Sequence, residues 1–333
     1  MGSERPVFIV GAPRSGTSLL RNMLNRHPSL AICGETQFNQ YVYRRRRAFG
    51  DLGNLRNRQR LIDEYLSVRR IQRLGIDISR LKEKLVREAT SYPAVFACLA
   101  RSYAESTGKK RWGEKTPQHA LIAELLCEWF PDAAILHILR DPRDTVASLQ
   151  RMTGASNSVI MNARTWLACH LAARKSSHRP GYLLVRYETL VAQPEMEQAR
   201  ICAHLGEHYA PAMLVADDAA APASPWVQRA REPVTAKRIA AWQEEITERD
   251  AALIDWVVGR HLRSFSYPHV ASAASIPSVA RGLAFAGFDG IRRRLPQIPG
   301  AWYHLMQPTK LAKEEFWVQR DLWNGGAKSA GAR

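Results

Sequence analysis

Short apolar runs recur along much of the chain, each closed by a glycine or a polar turn. Pro6-Val7-Phe8-Ile9-Val10 has no polar alternation and stops at Gly11, the pattern of a strand buried on both faces of a parallel sheet. Leu19, Leu20, Met23 and Leu24 then fall at helical spacing, so the opening reads strand, loop, helix. Leu30 to Cys33 and Ala134 to Leu139 read as further buried strands, and Gly181 to Tyr187 as another. The polar turn Arg140-Asp141-Pro142-Arg143-Asp144 leads from the strand ending at Leu139 into a helix. Between about 41 and 110 the chain is charged and helical in pattern. Its Leu61, Tyr65, Ile71, Leu74, Leu81 and Leu85 are spaced for one buried face, as in an insertion or lid. Strands alternating with helices predict an α/β fold, a doubly wound parallel sheet with helices on both faces and a ligand crevice at the carboxyl ends of its strands.

Composition agrees with this picture. The 333 residues, 46% of them apolar, suffice for a full core. No apolar run reaches the length of a membrane span or of a secretory leader, so a soluble cytoplasmic protein is expected. The five cysteines, Cys33, Cys98, Cys127, Cys169 and Cys202, are scattered and show no zinc-ligand spacing. They read as reduced thiols, with no metal expected. A formal net charge of +17 attracts polyanions of any kind, from a nucleotide to an acidic glycan or an anionic membrane. The expected organisation is one domain over 1–270 and a basic, aromatic C-terminal extension over 271–333.

The motif with chemistry is Gly11-Ala12-Pro13-Arg14-Ser15-Gly16-Thr17-Ser18. Its glycines have P-loop spacing, in which backbone amides and a helix N-terminus surround phosphate oxygens; the alternative is a glycine turn that binds nothing. Thr17 stands where a nucleotide P-loop carries the lysine that reaches the β- and γ-phosphates, and Arg14 brings a cation earlier in the loop. ATP chemistry, as in a P-loop kinase, is therefore the second reading. A single 5'-phosphosulfate group fits amides, hydroxyls and one arginine.

PVFIVGAPRSGTSLLRNMLNRHPSLAICGET resembles the 5'-phosphosulfate-binding region of the sulfotransferases, Trp112-Gly113-Glu114-Lys115-Thr116-Pro117 their lysine-bearing loop, and HILRDPRDTVAS from His137 to Ser148 their 3'-phosphate-binding strand, turn and helix, three blocks in the same order. Within them it is most similar to the tyrosylprotein sulfotransferase type and its bacterial relatives. The resemblance implies a P-loop nucleotide-kinase-like fold and 3'-phosphoadenosine 5'-phosphosulfate (PAPS) as cosubstrate, with an acceptor hydroxyl on a sugar, lipid, small molecule or tyrosine. By the same resemblance Glu35 is the general base and Lys115 stabilises the bridging oxygen of the leaving group. Arg14, Ser15, Gly16, Thr17 and Ser18 hold the 5'-phosphosulfate, Arg140 and Ser148 the 3'-phosphate, and Tyr187 packs on or caps that region. Taken from the residues alone, Glu35 reads as a solvated loop carboxylate. Glu114 is the reserve base, or else the structural partner of Lys115, and His119 is a weaker candidate that reads as the start of a helix after Pro117. Arg143 and Asp144 are expected to be structural.

One departure concerns the acceptor. Gln228-Arg229-Ala230-Arg231-Glu232-Pro233-Val234 places Ala230 where the tyrosylprotein enzymes have a serine, before a later Trp242. This weakens any inference to protein tyrosine. The basic run Arg44 to Arg47, beside Tyr41 and Tyr43, reads as a solvated helix face or an entrance for an anionic acceptor ahead of a nucleic-acid contact. Arg292-Arg293-Arg294 with Trp302, Trp317 and Trp323 would suit peripheral contact with the inner face of a membrane, a fold-back onto the domain, or a homodimer contact.

Overall fold

The structure is a computed structural model, and it describes residues 5–151, 158–215 and 235–269. Five parallel strands, β1 (Val7–Gly11), β2 (Leu30–Cys33), β3 (Arg111–Lys115), β4 (Ala134–Leu139) and β5 (Tyr182–Arg186), form one sheet in the order β2-β3-β1-β4-β5. β1 is central, with β2 and β3 to one side and β4 and β5 to the other. The loop leaving β1 therefore emerges where the winding reverses direction, the position at which open α/β sheets bind ligands. β1, β2 and β4 are buried along their whole length, as their unbroken apolar runs predict.

β3 differs from the expectation, which read Trp112 to Pro117 as a lysine-bearing loop. Its sequence, Arg-Trp-Gly-Glu-Lys, has no apolar run and hides its strand character, yet it lies between β1 and β2 with four of its five residues buried. Gly113 makes that position habitable. A Cβ there would stand 2.4 Å from the Val7 carbonyl oxygen and 2.6 Å from the Ile32 side chain, so no larger residue fits between the neighbouring strands. β5 is also shorter than expected, and Tyr187 opens a helix instead of ending the strand.

The principal helices are α1 (Thr17–Asn25), α2 (Leu55–Ser67), α3 (Arg69–Gln72), α4 (Ile78–Glu88), α5 (Tyr92–Ser106), α6 (Ala123–Trp129), α7 (Pro142–Gln150), α8 (Val159–Arg174), α9 (Tyr187–Ala192), α10 (Pro194–Leu205) and α11 (Glu248–Val258). Helices cover both faces of the sheet. On one face Val7, Ile9, Ile32, Leu136 and Ile138 pack with Leu20, Met23 and Leu24 of α1, Leu190 of α9 and Ile201 of α10. On the other, the Phe8 ring lies 5.7 Å from Phe96 of α5, 5.9 Å from Trp112 and 5.6 Å from Phe130. Each such large side chain, taken fully out of water, stabilises the fold by about 1.5–3 kcal/mol.

In the helical segment between β2 and β3, α2, α4 and α5 begin at the side-chain caps Asn54, Asp77 and Ser91, each of which satisfies first-turn amides. Leu61, Tyr65, Ile71, Leu81 and Leu85 are buried there and Leu74 is half-buried, as the helical spacing predicts. The Arg44 to Arg47 run is partly committed to packing: Arg45 pairs with Glu64 at 2.7 Å and the Arg46 guanidinium lies 4.5 Å from the Tyr43 ring centre.

The chain divides into two compact units, Met1–Arg140 with Ala168–Ile239 and Asp141–Leu167 with Ala240–Arg333. The first contains the sheet. In the second, Arg143 donates from Nε and Nη2 to Asp141 and lies 4.8 Å from the Trp242 ring centre. Asp144 accepts from the amides of Ala240 and Trp242. Both residues thus have structural partners, as expected of them. Arg229, Ala230 and Arg231, and the tail from 271 with its arginines and tryptophans, lie outside the described residues. The five cysteines are all buried and unpaired with one another.

Inside the sheet unit, His137 of β4 is fully buried, with Nδ1 2.6 Å from the Tyr182 hydroxyl and Nε2 2.6 Å from Nδ1 of the buried His170. Burial pushes His137 down to about 3 and, with His137 beside it, pushes His170 well below the usual histidine range. The native state thus excludes protons that the unfolded chain takes up below about pH 6.5. Stability is complete above that pH and falls as pH drops toward 3, by about 2 kcal/mol at pH 5 from His137 alone. The thermal midpoint should therefore fall between pH 7 and pH 5, and fall less in a His137→Gln/His170→Gln double variant, which has no proton to gain there. Equal slopes for the two proteins would show that the pair is not held neutral.

Candidate active site

All five parallel strands deliver their carboxyl ends to one edge of the sheet, and the site is built there. β1 ends in the loop Gly11 to Gly16. A Cβ on Gly11 would meet the Ile138 carbonyl oxygen at 2.5 Å, so the loop begins at closest approach to β4. Arg14 has φ +72°, rare for a side-chain-bearing residue, the kind of local strain that collects at functional loops. Gly16 has φ +97° and precedes α1, whose N-terminus has no side-chain cap. Its first-turn amides are thus left for an anion, which the positive end of a helix favours. Ser15 is fully buried and its hydroxyl has no hydrogen-bond partner among the described residues. A buried hydroxyl without a partner costs about 1–3 kcal/mol, and a phosphate oxygen would satisfy it. Thr17, buried, and Ser18, half-buried, open the helix.

Tyr187 and Arg140 back this loop. A Cβ on Gly16 would lie 2.5 Å from the Tyr187 ring, so only glycine leaves room for the ring against the turn. The Arg140 guanidinium sits 4.2 Å from the centre of the same ring and donates to the carbonyls of Arg14 at 3.4 Å and Arg238 at 2.7 Å. Tyr187 is therefore both core and site wall. Ser148 is buried on α7, in the second compact unit.

β2 runs into Gly34 and Glu35, and β3 ends at Lys115. Pairing of β2 with β3 brings together two residues that are 80 apart in sequence: Lys115 Nζ lies 2.7 Å from Glu35 Oε1 and 3.2 Å from the Ser18 hydroxyl. The Lys115 side chain is 6% exposed and that of Glu35 26%. Arg70 of α3 meets the other carboxylate oxygen, Nη1 to Oε2, at 3.0 Å, and Gln37 Nε2 reaches it at 3.3 Å. Burial works against the charged form of Glu35, but Lys115 and Arg70 outweigh it and bring the carboxyl down to about 2. Burial likewise lowers the Lys115 ammonium from its usual range, with Glu35 opposing. Glu35 is thus no freely solvated loop carboxylate; it is ionised and held between two cations.

Glu114 is not the partner of Lys115, contrary to one expectation for it. Successive residues of a strand face opposite sides of the sheet, so Lys115 points with Ile9 toward α1 while Glu114 points with Phe8 toward the inserted helices. Glu114 Oε1 accepts from the Thr36 amide at 3.0 Å, the Thr36 hydroxyl at 2.9 Å and the Thr116 hydroxyl at 2.5 Å. His119 Nδ1 lies 3.0 Å from Oε2, and its Nε2 accepts from the Asn39 amide at 3.4 Å. His119, in the 3-10 turn Pro117–Ile122, is buried and engaged with Glu114. Both side chains are thus engaged within this network, on the face of the sheet away from Lys115. This network fastens the turn that carries Glu35 to the end of the strand that carries Lys115. Sequence reasoning missed it because β3 read as a loop, and it missed Arg70 because nothing local marks one arginine among many. Replacing Glu114 by Ala should lower unfolding free energy by about 3 kcal/mol, since four donors lose a buried acceptor. A loss below about 1 kcal/mol in denaturant titration, the scale of an ordinary substitution, would show that the network does not hold the turn.

Comparison with known proteins bears on this arrangement. The sulfotransferase family profile matches residues 6–211. The nodulation protein NoeE of Sinorhizobium fredii is 28% identical over 232 residues, covering 62% of this chain and 51% of that protein. Protein-tyrosine sulfotransferase A of Caenorhabditis elegans is 28% identical over 208 residues, covering 59% of this chain and 48% of that protein. The chain thus spans about half the length of these two relatives. Among solved structures, the sulfotransferase domain of the Synechococcus PCC 7002 olefin synthase superposes with a TM-score of 0.54 at 20% identity, over 79% of this chain and 94% of that one. That likeness agrees with the parallel α/β fold and its P-loop-like first turn. With its family profile spanning β1 to the residues after α10, and with the Gly11 to Gly16 loop, Glu35 and Lys115 set at one sheet edge, the chain belongs to the sulfotransferase family.

Proposed function

We propose that this chain transfers the sulfuryl group of PAPS to an acceptor hydroxyl. The observation that carries the reading is the position of Lys115, whose ammonium is shared between Ser18 at the start of α1 and the Glu35 carboxylate. One side chain therefore touches both the phosphate loop and the candidate base. Bound PAPS would supply the sulfuryl group and a bisphosphate leaving group. The uncapped amides of α1, the Ser15 hydroxyl, Gly16, Thr17, Ser18 and Arg14 would hold its 5'-phosphosulfate, a fit supported by the partnerless Ser15 hydroxyl. Arg140 would hold its 3'-phosphate together with Ser148, an assignment that rests on the sequence resemblance, and Tyr187, against the Arg140 guanidinium, would pack on that region.

Glu35 accepts the proton of the acceptor hydroxyl as its oxygen attacks sulfur, and Lys115 donates to the bridging oxygen as the bond from sulfur to that oxygen breaks. Positioned proton transfer accelerates such a step by about 10²–10⁴-fold, and a preorganised donor on the developing charge by about 10²–10³-fold. A carboxylate already ionised is ready to take a proton, but one paired with two cations is a weak base. Movement of Lys115 toward the leaving group would release one oxygen of Glu35 at the moment it is needed.

The acceptor remains broader than the tyrosine named for the nematode relative, since Ala230 offers no hydroxyl; sugar, lipid and small-molecule alcohols are equal candidates. A P-loop kinase is not favoured, because Thr17 stands at the P-loop lysine position and the lysine at the loop comes from β3. No described helix is long and apolar enough to cross a membrane. Five unpaired, buried thiols suit a reducing, cytoplasmic location. Peripheral membrane contact or homodimer formation through 271–333 belongs to the same proposal and concerns residues outside the described ones.

The test is release of adenosine 3',5'-bisphosphate from PAPS in the presence of a panel of phenolic, sugar and lipid alcohols. Glu35→Gln should lower kcat by about 10²–10⁴-fold and Lys115→Ala by about 10²–10³-fold. Wild-type turnover in Glu35→Gln, or ATP binding more tightly than the bisphosphate, would contradict the assignment.

A further inference from the structure

Glu35 is held by residues from three separate parts of the chain. Lys115 of β3 takes Oε1, and Arg70 of α3 takes Oε2 together with Gln37 from the segment that follows Glu35 itself. Arg21 of α1 also lies close: its Nη2 is 3.9 Å from where a Gly34 Cβ would stand, while its Nε donates to the Ile32 carbonyl. Glu114 stands beside Lys115 on β3 and faces away, toward Thr36 and His119.

The two cations on Glu35 differ in kind. Lys115 is buried and also contacts Ser18 at the phosphate loop, so its ammonium has a second place to go. Arg70 has a side chain 37% exposed, and its helix is anchored by the buried Ile71 and by Leu74, whose Cδ2 would lie 3.2 Å from a Gly34 Cβ. The guanidinium is thus presented to Glu35 from a short helix that packs against the Glu35 turn.

Resting on the sulfotransferase reading above, we infer that Arg70 is a positioning residue for the transfer step: it clamps Oε2 so that Oε1, the oxygen facing Lys115 and the phosphate loop, is the one that takes the acceptor proton. When Lys115 turns to the leaving group, a carboxylate held by Gln37 alone would rotate among several orientations, and general-base catalysis depends on holding the acceptor proton within hydrogen-bond reach. The ion pair from Arg70 keeps one oxygen fixed and the other aimed. The contact is a single N–H to oxygen bond, so a lysine at this position can reproduce its charge in part, although with less fixed geometry.

Because Arg70 is partly exposed, Arg70→Met should fold as the wild type does. Its kcat should fall by about 10-fold, with the KM for PAPS and the affinity for adenosine 3',5'-bisphosphate unchanged, and Arg70→Lys should recover part of the loss. On a Glu35→Gln background Arg70→Met should cause no further loss, since it acts through the carboxylate. In the free protein, carboxyl-carbon NMR should find the Glu35 titration moved to higher pH in Arg70→Met, because one of the two cations that favour the ionised form is gone. The inference is overturned if kcat is unchanged, if bisphosphate affinity falls in step with kcat, or if the losses from Glu35→Gln and Arg70→Met simply multiply. A wild type without transfer activity overturns the sulfotransferase reading and this inference with it. A wild type that transfers, with an unaltered Arg70→Met, overturns this inference alone.

Discussion

An ammonium taken out of water costs several kcal/mol unless a carboxylate meets it at close range, and Lys115 ends β3 with its side chain almost wholly buried. The Glu35 carboxylate meets it at 2.7 Å. That pair can exist only because β2 and β3 are adjacent and parallel, so that their carboxyl ends finish together. The same requirement explains Gly113, whose missing side chain lets β3 fit between β1 and β2, and the Glu114 network, which fixes the turn after β2 to the strand carrying the lysine. Remove the adjacency and Glu35, Lys115 and the Gly11 to Gly16 loop become three unrelated surface features.

Under the proposed function the pair serves as a catalytic arrangement more than as a source of stability. A buried ion pair returns little net free energy over a well-packed apolar one, and the core on either side of the sheet already provides the stabilising burial. What the pair supplies is a lysine whose position is defined both toward Ser18 and toward Glu35. Alternation along β3 separates two charged neighbours into different tasks. Glu114 joins a hydrogen-bonded network on the helical-insertion side, and Lys115 is presented on the phosphate-loop side.

β1, β2 and β4 were legible because a strand buried on both faces is written as an unbroken apolar run, and α1 because its leucines and methionine keep helical spacing. The phosphate loop was legible from its glycines. β3 was not, because Arg111, Glu114 and Lys115 break any apolar pattern, and a central strand that carries site residues contradicts the rule that makes its neighbours readable. Glu35 and Lys115 could each be named through the family resemblance, but their contact depends on a pairing across 80 residues that no local pattern records. The expectation of Glu114 as the partner of Lys115 failed for the same reason: without the strand there was no alternation to show which way it faced. Arg70 gave no sequence signal, since its role comes from where its short helix packs.

The most direct test of this account is a crystal structure of the protein with adenosine 3',5'-bisphosphate. The account predicts the 5'-phosphate against the amides of α1 and the Ser15 hydroxyl, with Lys115 Nζ within hydrogen-bond distance of it and Glu35 still adjacent. A bisphosphate bound elsewhere, or one bound at the loop with Lys115 turned away from it, would contradict the claim that the end of β3 serves the phosphate loop.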